Sequence, residues 1–141
     1  MPARTAEATW SGSLQEGNGN IKLGSGAYDG PFSFASRFES GSGTNPEEMI
    51  GAALAGCFTM QLSANLSRAG FNVERSHTNA TVHLERGESG FSISKIELVN
   101  ETSAPGVDEA TFKEHVVKAE GCIIARALAG VGEITVDAKL V

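Results

Sequence analysis

The sequence predicts an α+β protein built from antiparallel β-hairpins and a few helices. Residues 7–23 and 73–99 each contain two strand-like segments joined by a polar turn with glycine, which is the pattern of a hairpin. Between them, residues 46–70 form a long apolar segment with helix start and stop signals. With 141 residues, the chain has the length of one domain, and we expect a single domain over residues 1–141.

The first hairpin is predicted from short strands at residues 7–14 and 21–23. The turn between them, residues 16–20, reads Glu-Gly-Asn-Gly-Asn, and glycine and asparagine are favoured in tight hairpin turns. A glycine-rich stretch at residues 24–30 follows, but no Gly-x-Gly-x-x-Gly leads from it into a helix. We therefore interpret these glycines as turn residues and not as a nucleotide site.

Residues 32–38 predict a third strand. Phe32, Phe34 and Phe38 alternate with smaller or polar residues, so they would share one face of an extended chain. Arg37 would then point away from this aromatic face.

A long helix is predicted over residues 46–68. Asn45 is a favoured N-cap, Glu47 and Glu48 complement the helix dipole in the first turn, and Gly70 ends the helix. The apolar side chains cover almost every direction around the helix axis, which indicates burial on all sides. A chain of this size can hardly surround such a helix alone, so we infer that a second subunit covers part of it.

The second half of the chain predicts a hairpin, two helices and a final strand. Strands at residues 73–85 and 91–99 alternate apolar and polar side chains, and the glycine-containing turn between them makes the pair antiparallel. A helix that ends at Gly121 follows, a shorter one spans residues 122–128, and residues 133–141 form the last strand.

Composition and charge exclude several classes of partner. The net charge of -6 argues against nucleic acid and against an anionic membrane surface, because both are bound through lysine and arginine. The start of the chain lacks the apolar stretch of a secretory signal, and the most apolar run, residues 50–58, is too short to cross a bilayer. We expect a cytoplasmic protein with no nucleic-acid or membrane partner.

The two cysteines, Cys57 and Cys122, are the most informative residues. Cys57 lies in the middle of the predicted apolar helix, and Cys122 lies far downstream. In a reducing compartment a disulfide between them would be transient and chemical rather than structural. His77 and His83 share a strand face, but no third ligand accompanies them, so no metal site is expected.

Several short motifs occur in a set order along nearly the whole chain: Trp10-Ser11-Gly12, Arg37-Phe38-Glu39, Asn45-Pro46-Glu47-Glu48, Cys57-Phe58, Pro105-Gly106-Val107-Asp108 and Gly121-Cys122. With these motifs the chain resembles the OsmC/Ohr family of osmotically inducible and organic hydroperoxide resistance proteins, and most closely its OsmC branch. The resemblance implies antiparallel β-sheets wrapped around central helices in an intertwined homodimer. In one departure, many relatives have proline after the second cysteine, where this chain has Ile123.

The resemblance also implies a thiol peroxidase that reduces organic hydroperoxides, and hydrogen peroxide more weakly, in defence against oxidative stress. Cys57 would attack the peroxide and become a sulfenic acid, and Cys122 would resolve it into an intramolecular disulfide. Arg37 would activate Cys57, and Glu47 would hold Arg37. The resemblance implies no metal, haem or flavin; an external dithiol, such as a protein-bound lipoyl group, would reduce the disulfide.

The proposed chemistry requires a fixed cation near Cys57. A free thiol has a pKa of about 8.5 and is mostly protonated at neutral pH, and burial raises that value further. Cys57 lies about three turns inside its helix, beyond the reach of the helix dipole. Arg37 would stay charged even when buried, and its planar fork can hold a carboxylate while other donors face the sulfur.

Helix geometry favours Glu47 over Glu48 as the partner of Arg37. At 100° per residue, Glu48 lies about 180° around the helix from Cys57, and Glu47 lies about 80° away. At 1.5 Å per residue, however, Glu47 lies about 15 Å along the axis from Cys57, too far for one compact site. If both serve one arginine and one sulfur, Glu47 comes from the neighbouring subunit, so we expect an obligate two-fold dimer.

Two other hypotheses are open at this point. One is a non-catalytic dimeric domain that binds a small apolar ligand and in which Cys57 is an ordinary core residue; the other is a thiol sensor that acts on a partner. A binding domain would not need the set of Arg37, Glu47, Cys57 and Cys122. Several apolar residues are available to line a pocket for the organic part of a substrate: Phe38, Met49, Leu54, Phe58 and Met60.

Overall fold

The chain folds into six β-strands and four helices. In chain order they are β1 (Ala6–Ser11), β2 (Asn18–Leu23), β3 (Asp29–Phe32), α1 (Phe34–Phe38), α2 (Pro46–Arg68), β4 (Arg75–Gly87), β5 (Gly90–Ser103), α3 (Glu109–Ala119), α4 (Ile123–Ala127) and β6 (Glu133–Leu140). The computed structural model describes all residues, Met1–Val141. They form two compact units, Met1–Met49 and Ile50–Val141. The α+β class is confirmed; the single domain stays a prediction.

The first unit contains a three-stranded antiparallel sheet in the order β1-β2-β3, and the predicted hairpin is present as β1 and β2. Trp10, Gly19 and Phe32 are direct neighbours across its three strands. The rings of Trp10 and Phe32 meet over Gly19 with centroids 5.3 Å apart. A Cβ on Gly19 would lie 2.5 Å from the Phe32 ring and 2.6 Å from the Trp10 ring, so only glycine leaves room for this ring pair.

The strand predicted over residues 32–38 is wrong. Strand β3 ends at Phe32, Ser33 caps the short helix α1, and Arg37 lies in the last turn of that helix. The Ser33 hydroxyl accepts a hydrogen bond from the Ser36 amide at 3.0 Å, and the Ser36 hydroxyl accepts one from the Ser33 amide at 2.8 Å. This capping box satisfies amides that a helix start otherwise leaves unpaired, so the local hydrogen bonds override the alternating pattern.

Helix α2 matches its prediction in position, and one copy of the chain buries only part of its surface. The Asn45 side chain accepts a hydrogen bond from the Glu48 amide at 2.7 Å, and Gly70 follows the helix with a φ of +93°. One face is fully buried, through Leu54, Phe58, Leu62 and Leu66. Other positions, however, are exposed within the single chain: Ala52, Ala53, Gly56 and Met60. Burial on all sides is therefore not achieved by one copy of the chain.

Helix α2 also has the length and composition of a helix that could cross a membrane, because its 23 residues include an 18-residue stretch with a mean hydropathy of 1.3. The run at residues 50–58 is too short by itself, but the whole helix is not. The core helix of a soluble protein can have the same length and hydropathy, so these two properties are weak support for a membrane span.

The second unit contains the sheet β4-β5-β6. Strands β4 and β5 form the predicted antiparallel hairpin. Strand β6 pairs with β5 in parallel, so this sheet is mixed, contrary to the expectation of wholly antiparallel sheets. A parallel neighbour requires a long crossover connection, which α3 and α4 provide here. The buried face of α2 belongs to the same apolar core as Ile96, Leu98 and Phe112.

A buried polar network ties α2 to this sheet. Asn100 and Thr102 are fully buried and bonded to each other at 2.7 Å, and Asn100 donates to the Thr78 hydroxyl at 2.8 Å. Thr78 in turn lies 2.6 Å from the Thr59 hydroxyl, which donates to the Ala55 carbonyl at 2.7 Å. Because the groups satisfy one another, the network fixes the turn of α2 that carries Cys57 against β4.

Candidate active site

An arginine–carboxylate pair lies in the first unit. The Nη2 of Arg37 is 2.8 Å from Oε1 of Glu47, and its Nε is 3.1 Å from the same oxygen and 3.3 Å from Oε2. The Glu47 side chain is only 12% exposed, whereas that of Arg37 is 41% exposed. Glu48, the neighbour that helix geometry disfavoured, is exposed. The structure therefore brings together the predicted pair of Arg37 and Glu47.

The guanidinium of Arg37 is held from two sides. Its Cζ lies over the Phe38 ring at 5.2 Å from the centroid, a cation–π contact. The ion pair with Glu47 uses Nε and Nη2, which leaves Nη1 available to a further acceptor. A buried carboxylate and an aromatic ring thus orient a cation that has a free donor face.

The two cysteines meet in the second unit, at the start of α4. Cys57 is half-buried on α2, and Cys122 is 3% exposed and is the N-cap residue of α4. Both thiols are free. The backbone amide of Ile124 donates a hydrogen bond to the Cys57 sulfur at 3.5 Å. Helix α4 therefore places one of its first amides against the sulfur of Cys57, while Cys122 is the residue at its N-cap position.

The contribution of Ile124 was not predicted from the sequence. A backbone amide carries no side-chain signature, and the only signal was the helix start at Cys122, which was predicted. Ile123, which stands where many relatives have proline, is the first residue of α4, a position that also suits proline, and is 67% exposed. The departure from the family pattern does not prevent α4 from starting at Cys122.

Burial raises the pKa of the Cys122 thiol above its ordinary value. The adjacent Cys57 side chain acts in the same direction, and the backbone amide of Ala125 acts against it. Cys122 is therefore a protonated thiol at neutral pH, and it must lose its proton before it can act as a nucleophile.

We predict that the reduced protein loses stability in alkaline solution through Cys122. Because the pKa is raised in the folded state, the unfolded chain releases this proton at a lower pH than the folded protein does. The contribution of the protonated Cys122 thiol to the free energy of unfolding is therefore complete below the pKa of the unfolded thiol and is lost as the pH rises through the folded pKa. Thermal unfolding of the fully reduced protein between pH 7 and pH 11 measures this. Cys122→Val, which cannot titrate, should show a shallower alkaline decline; identical profiles for both proteins would contradict the prediction.

The proposed pocket residues do not form one pocket. Leu54 and Phe58 are each 1% exposed and belong to the apolar core, and Met60 is 76% exposed. Phe38 does line a pocket, in the first unit, together with Arg37. The assignment failed for Leu54 and Phe58 because the apolar core contains their side chains.

The structure contains no group of three or more His, Cys, Asp or Glu side chains that could hold a metal ion. The Nε2 of His83 lies 2.7 Å from Oε2 of Glu97 on the sheet surface.

The four residues predicted for the active site form two pairs, Arg37 with Glu47 and Cys57 with Cys122.

Known proteins with similar sequences and structures point to one family. Residues 39–137 match the family model described as OsmC-like protein. The chain is 42% identical over 139 residues to peroxiredoxin OsmC of Escherichia coli (strain K12), which covers 97% of this chain and 96% of that protein. The structure is similar to an OsmC-like protein from Mycoplasma pneumoniae, with a TM-score of 0.77, 18% identity, and 99% of this chain and 98% of that chain covered. It is also similar to the organic hydroperoxide resistance protein OhrB of Bacillus subtilis, with a TM-score of 0.66, 26% identity, and 97% and 98% covered.

Proposed function

Since this chain belongs to the OsmC family, we propose that it is a thiol peroxidase that reduces organic hydroperoxides, and hydrogen peroxide more weakly, in defence against oxidative stress. It is a cysteine-based enzyme, with Cys57 as the peroxidatic and Cys122 as the resolving cysteine. The observation that carries this assignment is the meeting of two free thiols at the start of α4, in a chain 42% identical to a peroxiredoxin.

In the first step the Cys57 thiolate attacks the terminal oxygen of the hydroperoxide. The O–O bond breaks, the sulfur becomes a sulfenic acid, and the departing alkoxide takes a proton to leave as the alcohol. Negative charge lies first on the sulfur and then on the departing oxygen, so a fixed cation stabilises both. Arg37 serves this purpose because Glu47 and Phe38 hold it while Nη1 stays free.

In the second step Cys122 gives up its proton and attacks the sulfur of the Cys57 sulfenic acid. The S–O bond breaks, the leaving hydroxide takes the proton to form water, and a disulfide joins the two cysteines. Peroxiredoxin-type enzymes use cysteine and an external reductant rather than a bound cofactor. We propose a dithiol reductant, such as a protein-bound lipoyl group, which supplies two electrons and returns both thiols.

The proposed assembly is a homodimer that shares its active sites. Glu47 and Cys57 lie ten residues apart on the continuous helix α2, or about 15 Å along its axis. A two-fold pair of antiparallel α2 helices would bring the Arg37–Glu47 pair of one subunit to the Cys57 of the other, twice. The exposed small and apolar residues of α2 are available for this contact.

We propose that this enzyme acts in the cytoplasm, where a reducing environment keeps both thiols ready for the next turnover.

Anaerobic titration of the reduced protein with cumene hydroperoxide tests the function. Because the chain has two cysteines, one equivalent of oxidant should consume both thiols, release one equivalent of 2-phenyl-2-propanol, and give a peptide in which Cys57 is linked to Cys122. The alcohol alone, which cannot oxidise a thiol, is the control. Two thiols still free after several equivalents, or a disulfide only between different chains, would contradict the mechanism.

A further inference from the structure

An aromatic pocket lies in the first unit, next to Arg37. Its volume is about 250 Å³, and four of its walls are the half-buried rings of Trp10, Phe32, Phe34 and Phe38. Arg37 is the charged residue that lines it. The chain has nine aromatic residues, one Trp, one Tyr and seven Phe, so nearly half of them line this one cavity.

The four aromatic rings come in two pairs, one from the sheet and one from α1. Trp10 and Phe32 come from the outer strands of the sheet, and their rings meet at an interplanar angle of 58° over Gly19. Phe34 and Phe38 lie one turn apart on α1, with centroids 5.1 Å apart and an interplanar angle of 48°. Both pairs have the tilted geometry in which the edge of one ring faces another ring. A flat ring that entered the cavity would find ring faces and ring edges around it.

Arg37 belongs both to the lining of this pocket and to the proposed catalytic residues. This residue lines the cavity, stacks on Phe38 and pairs with Glu47. A hydroperoxide whose organic part occupied the pocket would therefore place its polar end near the guanidinium, because the rest of the lining is mainly apolar and aromatic.

We propose that this pocket binds the aryl group of arylalkyl hydroperoxides and that Trp10 is a specificity-determining residue; the inference rests on the proposed peroxidase function. Cavities of about 150 Å³ lined by apolar side chains hold one benzene molecule. A volume of about 250 Å³ thus suits one ring with a short branched alkyl group. Ring-to-ring contacts add attraction that a saturated group of the same size lacks.

The experiment compares two substrates of matched shape, cumene hydroperoxide and its ring-saturated analogue 2-cyclohexyl-2-propyl hydroperoxide. The wild type should favour the aryl compound in kcat/KM by about 2-fold to 13-fold, the range expected from one aromatic contact. Trp10→Leu and Phe34→Leu should each bring this ratio towards one. Phe91→Leu, an exposed phenylalanine on the β4–β5 hairpin, is the matched control and should keep the wild-type ratio.

A binding measurement gives a readout besides activity. Trp10 is the only tryptophan of the chain, so its emission should change saturably with 2-phenyl-2-propanol, the product of cumene hydroperoxide, and less with the cyclohexyl alcohol. Circular dichroism would show whether Trp10→Leu folds. If it does not, the kcat/KM ratio of Phe34→Leu and the fluorescence of the wild type still test whether the pocket binds the aryl group.

A wild-type ratio of one with no saturable emission change would overturn the inference. In that case both hydroperoxides would still be reduced. If the wild type reduced neither compound, the peroxidase function itself would be wrong, so the two failures are distinguishable.

Discussion

Replacing Cys57 with serine should abolish hydroperoxide reduction, with a loss of at least about a thousand-fold in kcat/KM. A serine hydroxyl at this position cannot accept oxygen to form a sulfenic acid, and no other half-buried thiol can replace it, because Cys122 is 3% exposed and protonated at neutral pH. Consumption of tert-butyl hydroperoxide in the presence of a dithiol measures the effect.

Cys122→Ser is the matched control, since it also removes one thiol. It should still consume the first equivalent of peroxide at Cys57 but should fail to form the disulfide. The sulfenic acid then stays exposed to excess peroxide and goes on to sulfinic acid, which dimedone labelling and mass spectrometry would follow. If Cys57→Ser kept its activity, or if Cys122 became oxidised in that variant at the wild-type rate, the two roles would have to be exchanged.

Replacing Arg37 with alanine should slow the oxidation of Cys57 by about a hundred-fold to a thousand-fold, the usual effect of removing one preorganised hydrogen-bond donor from a transition state. Arg37→Lys should lose less, because lysine keeps the charge but lacks the planar fork that pairs with Glu47. Stopped-flow measurement of a single turnover isolates this step from disulfide formation. An unchanged rate in Arg37→Ala would remove Arg37 from the mechanism.

Mixed dimers of Arg37→Ala and Cys57→Ser subunits test where Arg37 acts. If the sites are shared across the dimer, each mixed dimer has one site with both Cys57 and Arg37 intact. Random exchange of equal amounts makes half of the dimers mixed, so about a quarter of the wild-type activity should return. A mixture no more active than the sum of the separate variants would place Arg37 and Cys57 of the same chain in one site.

Much of the architecture could be predicted because its signals are local. The start of α2 depends on Asn45 and the following proline and glutamates, and the end depends on Gly70; both were visible in the sequence. The strand predicted at residues 32–38 is wrong because Phe34 and Phe38, which lie four residues apart, also fit one face of a helix. The two serines that cap α1 give no apolar signal. The parallel pairing of β6 with β5 was not predictable, since strand order depends on contacts far apart in the chain.

In the candidate site, too, the residues with a local sequence signal could be predicted and those that depend on distant contacts could not. Helix geometry separated Glu47 from Glu48, and the resemblance supplied Arg37 and the two cysteines. The amide of Ile124 could not be found in this way, because its bond to Cys57 depends on where α4 starts in space. The aromatic cavity was also missed, since its walls come from β1, β3 and α1, which are separate in the sequence.

The absence of a side chain at Gly19 is required by the rings of Trp10 and Phe32. One added methyl group would occupy the space in which the Trp10 and Phe32 rings touch, and overfilled packing of this kind is costly. Substitution at these three sites should therefore be correlated among related chains: a relative with a side chain in place of Gly19 should have a smaller residue in place of Trp10 or Phe32. Such a relative would have a cavity of different shape and hence a different range of substrates.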